Sequence, residues 1–177
     1  ISVLTEPKWF LGDDRYLREI AASVSIPCIR KDFTVDPYFI YEARELGASA
    51  VLLICALLGR SELEEYLGIA EELGLSALVE AHNEDEVGLA AEVGARVIGV
   101  NNRDLRSFSV DMNNSKRLRA AAPEDCLFVA ESGVGSPADT AALRGSRVDA
   151  ILVVEALMRA ENKAELLKAL RAAYAEG

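Results

Sequence analysis

The sequence has little that would tie it to a membrane, a nucleic acid or a metal. No apolar run reaches the ~18 residues needed to cross a bilayer. The chain opens Ile1-Ser2-Val3-Leu4, with no initiator methionine and no basic leader, so no signal peptide is expected. Lys and Arg number 19 against 29 Asp and Glu, a net charge of −10. That balance argues against a nucleic-acid partner, which would call for a basic face. It leaves a phosphate ligand open, because a local group of backbone N–H donors can hold an anion on an acidic protein. The single histidine, His82, offers no metal site by itself. Three cysteines, Cys28, Cys55 and Cys126, lie in apolar segments without C-x-x-C spacing. They are expected to be small buried hydrophobes in a reducing cytoplasm rather than a disulfide framework. Linkers and low-complexity stretches are absent. What is present is 177 residues, 51% hydrophobic and 27% charged. That is the material of one globular domain, residues 1–177, large enough to bury a core without staples.

Seven short apolar runs recur along the chain: Ile1–Thr5, Ile26–Lys31, Ala50–Cys55, Ala77–Ala81, Val97–Asn101, Leu127–Glu131 and Ala150–Val154. Several are apolar at successive positions, as strands covered on both faces of a parallel sheet read. Helix-like stretches lie between them. Asp36-Pro37 and Ser136-Pro137 supply a cap followed by a first-turn proline. Ser61–Glu64, Asn83–Glu86 and Asn162–Glu165 fit or approach a capping box. Gly47, Gly74 and Gly94 mark helix stops. Seven strands alternating with seven helices predict an α/β protein with right-handed parallel crossovers. A doubly wound open sheet and a (β/α)8 barrel both satisfy that order. No G-x-G-x-x-G turn follows the first strand, which weakens the dinucleotide-binding form of the open sheet. Polar residues at the ends of many strands favour the barrel, whose chemistry sits on that rim. They are Glu6, Lys31 with Asp32, Glu80 with His82, Asn101 with Asn102 and Arg103, and Glu131 with Ser132.

Each polar residue has a chemical reading and a plainer one. Lys31 could serve as an acid or a charge clamp, or be a solvated lysine beside Arg30. Glu80 closes an apolar strand, where a carboxylate is costly unless paired; it is a proton-transfer group or a structural partner for Lys31 or Arg103. Asn101-Asn102-Arg103 could orient a polar substrate or cap a turn. Glu131-Ser132-Gly133 resembles a phosphate-binding turn, and Glu155–Arg159 is placed to be the short helix that often completes such a site. Glu84-Asp85-Glu86 is read as a first-turn acidic cluster. Trp9, Phe10 and Phe33 line a pocket or are ordinary core. Leu166, Leu167 and Leu170 read as the packing stripe of the final helix.

Seven strings taken together resemble the indole-3-glycerol phosphate synthase family: Ser2–Glu6, Arg30-Lys31-Asp32-Phe33, Val51–Ile54, Leu78–His82, Ile98–Leu105, Ala130–Val134 and Glu155–Arg159. The resemblance implies a (β/α)8 TIM-barrel-type fold, represented here by strands two to eight and their helices. It implies ring closure of 1-(o-carboxyphenylamino)-1-deoxyribulose 5-phosphate to indole-3-glycerol phosphate, with loss of CO2 and water, in tryptophan biosynthesis. By the same resemblance Lys31 is the general acid and Glu80 takes part in proton transfer. Asn101, Arg103, Glu131 and Ser132 match substrate-contacting or supporting positions, and Phe10, Phe33 and Leu52 match the apolar surround of the anthranilate ring. Gly133, Val154 and Glu155 match the phosphate site. No cofactor and no metal are implied; the expected partner is a small phosphorylated substrate, with neither nucleic acid nor membrane, in the cytoplasm.

Two departures stand out. The family's first strand, with a second lysine and a glutamate, has no counterpart, so the chain is expected to be a fragment of a longer enzyme and inactive alone. Its open edges at Ile1–Thr5 and Ala150–Val154 are expected to drive self-association. Val154 stands where the family usually has glycine beside the phosphate. The competing readings are another sugar-phosphate-binding barrel enzyme, or a catalytically silent chain that binds a ligand or partner.

Overall fold

The computed structural model describes residues 1–103 and 109–175. Strands and helices alternate from the N-terminus: β1 Ser2–Leu4, α1 Asp14–Ser23, β2 Ile29–Lys31, α2 Tyr38–Glu45, β3 Ala50–Ile54, α3 Arg60–Glu72, β4 Ser76–Ala81 and α4 Glu84–Glu92. They continue with β5 Val97–Asn101, α5 Asn113–Arg119, β6 Leu127–Glu131, α6 Pro137–Ala142, β7 Ala150–Leu152, α7 Glu155–Arg159 and α8 Lys163–Ala175. All seven strands fall on the apolar runs of the sequence. The helix number differs: the described residues form eight, because Glu155–Arg159 is a separate turn of helix before α8.

The chain divides into two compact units, one of residues 1–80 and 89–96, the other of 81–88 and 97–177. In the first unit β1, β2, β3 and β4 pair in sequence order and in parallel, with Leu4 opposite Lys31, Ile29 opposite Ala50 and Ile54 opposite Glu80. In the second, β5 pairs with β6 and β6 with β7, again in parallel, with Asn101 opposite Glu131 and Glu131 opposite Leu152. Parallel neighbours joined through helices explain why the runs are apolar on both faces. Leu17 of α1, Ile40 of α2, Leu53 of β3, Leu63 of α3 and Val79 of β4 are fully buried in the first unit. Ile98, Leu118, Phe128 and Leu143 do the same in the second. Each such side chain contributes about 1.5–3 kcal/mol of transfer free energy.

The helix ends follow local chemistry. Ser136 Oγ accepts from the Asp139 N–H while Asp139 Oδ2 accepts from the Ser136 N–H, a complete capping box behind Pro137. Asn162 Oδ1 caps α8 through the Glu165 N–H, and Asp36 Oδ1 accepts from the Tyr38 N–H. Gly47, Gly74 and Gly94 end their helices with positive φ. Ser61 is not a cap: the cap lies two residues earlier, at Gly59, whose N–H donates to Glu62 Oε2 at 2.7 Å. The three cysteines are buried, and none forms a disulfide among the described residues. The apolar stripe of the last helix is only partly used, since Leu170 is buried while Leu167 is 47% exposed. No helix among the described residues is long and apolar enough to cross a membrane.

Candidate active site

In the first unit the strand register sorts side chains by face. Alternation places Lys31, Leu52, Leu78 and Glu80 on one side of the sheet, and Val3, Arg30, Val51, Leu53 and Val79 on the other. Arg30 contacts Asp14 of α1 and Glu42 of α2, so its side is the helix-covered one. Lys31, Leu52 and Glu80 therefore share the inner side. Lys31 Nζ lies 4.0 Å from Glu80 Oε2, with the glutamate side chain 3% and the lysine 20% exposed. Leu52 is buried beside them. The Phe10 ring lies 5.2 Å from Lys31 Nζ, centroid to nitrogen, and 4.9 Å from the Phe33 ring. An ammonium, a buried carboxylate and a tilted aromatic pair thus meet at the C-terminal ends of β2 and β4. Trp9 is not core: it is 70% exposed.

Arg30 holds the strand that carries Lys31. Its guanidinium is buried and reaches Asp14 Oδ1 at 2.9 Å, Glu42 Oε2 at 2.8 Å and Asp32 Oδ2 at 3.3 Å. It also donates to the Phe39 carbonyl and, through Nε, to Thr5 Oγ1. Thr5 in turn donates to Asp32 Oδ2 at 2.6 Å, and Asp32 Oδ1 accepts the Phe33 N–H. Burial pushes the Asp14 carboxyl up; Arg30 opposes this, and the Glu42, Asp32 and Asp13 charges add to it. The sequence signal for this hub is a charge at a helix-facing position of an apolar strand; by sequence Arg30 is only the neighbour of Lys31 and a member of the Arg30-Lys31-Asp32-Phe33 string.

In the second unit the polar groups are tied by backbone and amide bonds. Glu131 is buried at the end of β6, level with Asn101 at the end of β5. Asn101 Oδ1 accepts from the Arg103 N–H at 3.0 Å. Asn102, 2% exposed, connects three segments. Its N–H donates to the Glu131 carbonyl, its Oδ1 accepts from the Ser115 N–H and hydroxyl, and its Nδ2 donates to the Ser132 carbonyl. Ser132 and Gly133 both have positive φ, +64° and +84°. A Cβ at Gly133 would lie 2.5 Å from Val110 Cγ1 and 2.6 Å from Met112 Sδ, so the turn needs glycine for conformation and for space. Arg103 Nη2 lies 3.7 Å from Glu155 Oε2 at the start of α7. Of the N–H groups that follow the turn, those of Gly135 and Ser136 are already taken by Asp139. Val154 has φ −120° and is partly exposed, a conformation that does not demand glycine. Asp104 and Leu105 lie outside the described residues. His82, after β4, is held by Glu86, whose carboxylate accepts the His82 backbone N–H at 2.8 Å and lies 3.1 Å from Nδ1.

Parallel strands joined by helices, with polar residues at the C-terminal ends of strands in each unit, define an α/β protein of the TIM-barrel type. A solved structure, that of KGPDC from Streptococcus mutans, superposes with a TM-score of 0.76 over 99% of this chain and 85% of its own, at 13% identity, a likeness of fold alone. The chain belongs to the indole-3-glycerol phosphate synthase family, whose model matches residues 1–170. The indole-3-glycerol phosphate synthase of Ruminiclostridium cellulolyticum is 56% identical over 95% of this chain, and that of Endomicrobium trichonymphae 53% identical over 97%. The chain spans 65% and 66% of the length of those two relatives.

Proposed function

We propose that this chain carries most of the site of an indole-3-glycerol phosphate synthase, acting on 1-(o-carboxyphenylamino)-1-deoxyribulose 5-phosphate. The single observation that supports it best is the Lys31–Glu80 pair at 4.0 Å on the inner sheet face, flanked by Phe10. Ring closure needs a proton delivered to the ribulose carbonyl oxygen as the aromatic carbon attacks. Lys31 is the acid for that step. The carboxylate leaves as CO2, and the new hydroxyl leaves as water when a proton is moved on and off the ring system. Glu80, buried and close to Lys31, is the group for that proton transfer. Phe10, Phe33 and Leu52 surround the anthranilate ring. Arg103 and the Ser132-Gly133 turn, with the start of α7, hold the phosphate and so keep a flexible substrate in a reactive pose. Asn101 and Glu131 support the ribulose hydroxyls.

The test is an indole-fluorescence assay with that substrate, on the chain alone and on the chain joined at its N-terminus to the family's first βα unit. Turnover in the joined form, lost in its Lys31→Met variant, is the expected result. Absence of turnover in both forms, with a curated relative active in parallel, overturns the reading.

A further inference from the structure

The loop between β1 and α1 is organised by one side chain. Glu6 Oε1 accepts the Lys8 N–H at 2.9 Å, and Oε2 accepts those of Trp9 at 2.5 Å and Phe10 at 3.0 Å. Its own carbonyl accepts the Gly12 N–H at 2.8 Å, so main chain and side chain close the same loop from both sides. The far end is tied back to the strand: the Asp13 N–H donates to the Leu4 carbonyl, and a Cβ on Gly12 would lie 2.4 Å from that carbonyl oxygen. Between these ties the backbone is forced outward, with Leu11 at φ +52° and 79% exposed and Trp9 70% exposed. Phe10 alone turns inward, onto Phe33 and Lys31. A cavity of about 350 Å³ lined by Glu6, Pro7, Trp9, Asp32 and Phe33 lies beside the loop, so packing does not hold it there.

We propose that Glu6 is a positioning residue: its carboxylate clasps the backbone of residues 8–10 and thereby sets the Phe10 ring as the wall against which an aromatic ligand stacks beside Lys31. The ligand class rests on the function proposed above; the clasp does not. A carboxylate receiving three N–H groups is held by charge-assisted bonds stronger than neutral ones. Although burial raises the Glu6 carboxyl, those three donors and the nearby Lys8 outweigh it, keeping it ionised below the usual carboxylate range.

The sole tryptophan is Trp9, so its emission reports this loop and nothing else. Steady-state anisotropy of Trp9, and energy transfer from Trp9 to added anthranilate, are measured in the parent chain and in Glu6→Gln, Glu6→Ala and Glu6→Asp. Glu6→Gln and Glu6→Ala are expected to lower the anisotropy by about a third and to weaken anthranilate binding about fivefold, with the melting temperature lowered by only a few degrees. Glu6→Asp is expected to restore part of both. In the form that turns over, the same variants raise KM several-fold and leave kcat within about twofold. Unchanged anisotropy in both Glu6→Gln and Glu6→Ala overturns the clasp. Lowered anisotropy with no anthranilate binding even in the parent leaves the clasp standing and removes the aromatic-ligand reading instead.

Discussion

At the ends of β2 and β4 an ammonium and a carboxylate face each other at 4.0 Å, backed by a buried guanidinium that neutralises carboxylates from two helices. At the ends of β5 and β6 the polar groups are instead fastened by amide and backbone hydrogen bonds, and Arg103 sits 3.7 Å from the exposed Glu155. On the function proposed above, the first arrangement serves proton movement, since charges held out of water strongly affect one another. The second fixes backbone geometry, which is what anchoring an anion requires. Substitutions of Lys31, Glu80 and Arg30 should therefore act on the chemical step or on global stability, and those of the Ser132-Gly133 turn on affinity.

The largest effect is expected at the reacting pair. In the form of the chain that turns over, Lys31→Met and Glu80→Gln should each lower kcat about 10²–10⁴-fold, the range of a positioned acid or base, while KM changes by only a few fold. Unchanged kcat in both would break the assignment of proton transfer to the first unit. Next comes the hub behind it. Arg30→Met leaves Asp14, Asp32 and Glu42 without their shared cation; removing one partner of a buried ionic group costs about 3–5 kcal/mol. Thermal unfolding should show a melting temperature roughly 10 °C lower. A shift under about 2 °C would mean that the cluster is solvated and does not hold β2.

A smaller effect is expected in the second unit. Gly133→Ala places a Cβ at φ +84° and within 2.6 Å of Val110 and Met112. The left-handed backbone costs roughly 1–2 kcal/mol, and the turn must shift to relieve the contacts. Substrate KM should rise about tenfold with kcat altered less, as for a lost binding interaction made equally in ground and transition states. A kcat loss as large as that of Lys31→Met, with KM unchanged, would erase the contrast between the units.

How much of this was written in the sequence varies with the physics involved. Strands buried on both faces leave continuous apolar runs, so β3, β5 and β6 were legible to within a residue, and Lys31, Glu80, Asn101 and Glu131 stood out as polar endings. Caps made by neighbours three apart, as at Ser136 and Asn162, were legible for the same local reason. The roles of Arg30 and Asn102 were not, because their partners lie on other elements: Arg30 needs α1 and α2 in place, and Asn102 needs Ser115 and the Ser132 turn. The Leu166–Leu170 stripe misled because periodicity reveals an apolar face but not how much of it another element covers; Leu167 stays 47% exposed. Glu6 looked like one more strand-end carboxylate, since nothing in its neighbours' identities reveals that three successive backbone N–H groups turn toward it.

The smallest effect gives the sharpest contrast, because one carboxyl from each unit should carry a pH dependence of opposite sign. Glu86 is raised by burial, but hydrogen bonds from the His82 ring and backbone and from the Asn83 amide outweigh that and hold it below the ordinary value of 4.5. Its contribution to stability is therefore complete above pH ~4.5 and is lost as the pH falls through the lower folded value, because the unfolded chain takes up the proton first. Asp14 behaves the other way. Burial lifts it above the ordinary 3.8, so the folded state binds its proton first and this group favours folding as the pH falls. Urea unfolding between pH 3 and 6 should then show a shallower acid loss of stability in Glu86→Gln and a steeper one in Asp14→Asn. Each effect should be under about 1 kcal/mol, since both side chains are partly solvated. Shifts of the same sign in the two variants would mean that hydrogen bonding, not burial, governs the carboxyls of both units.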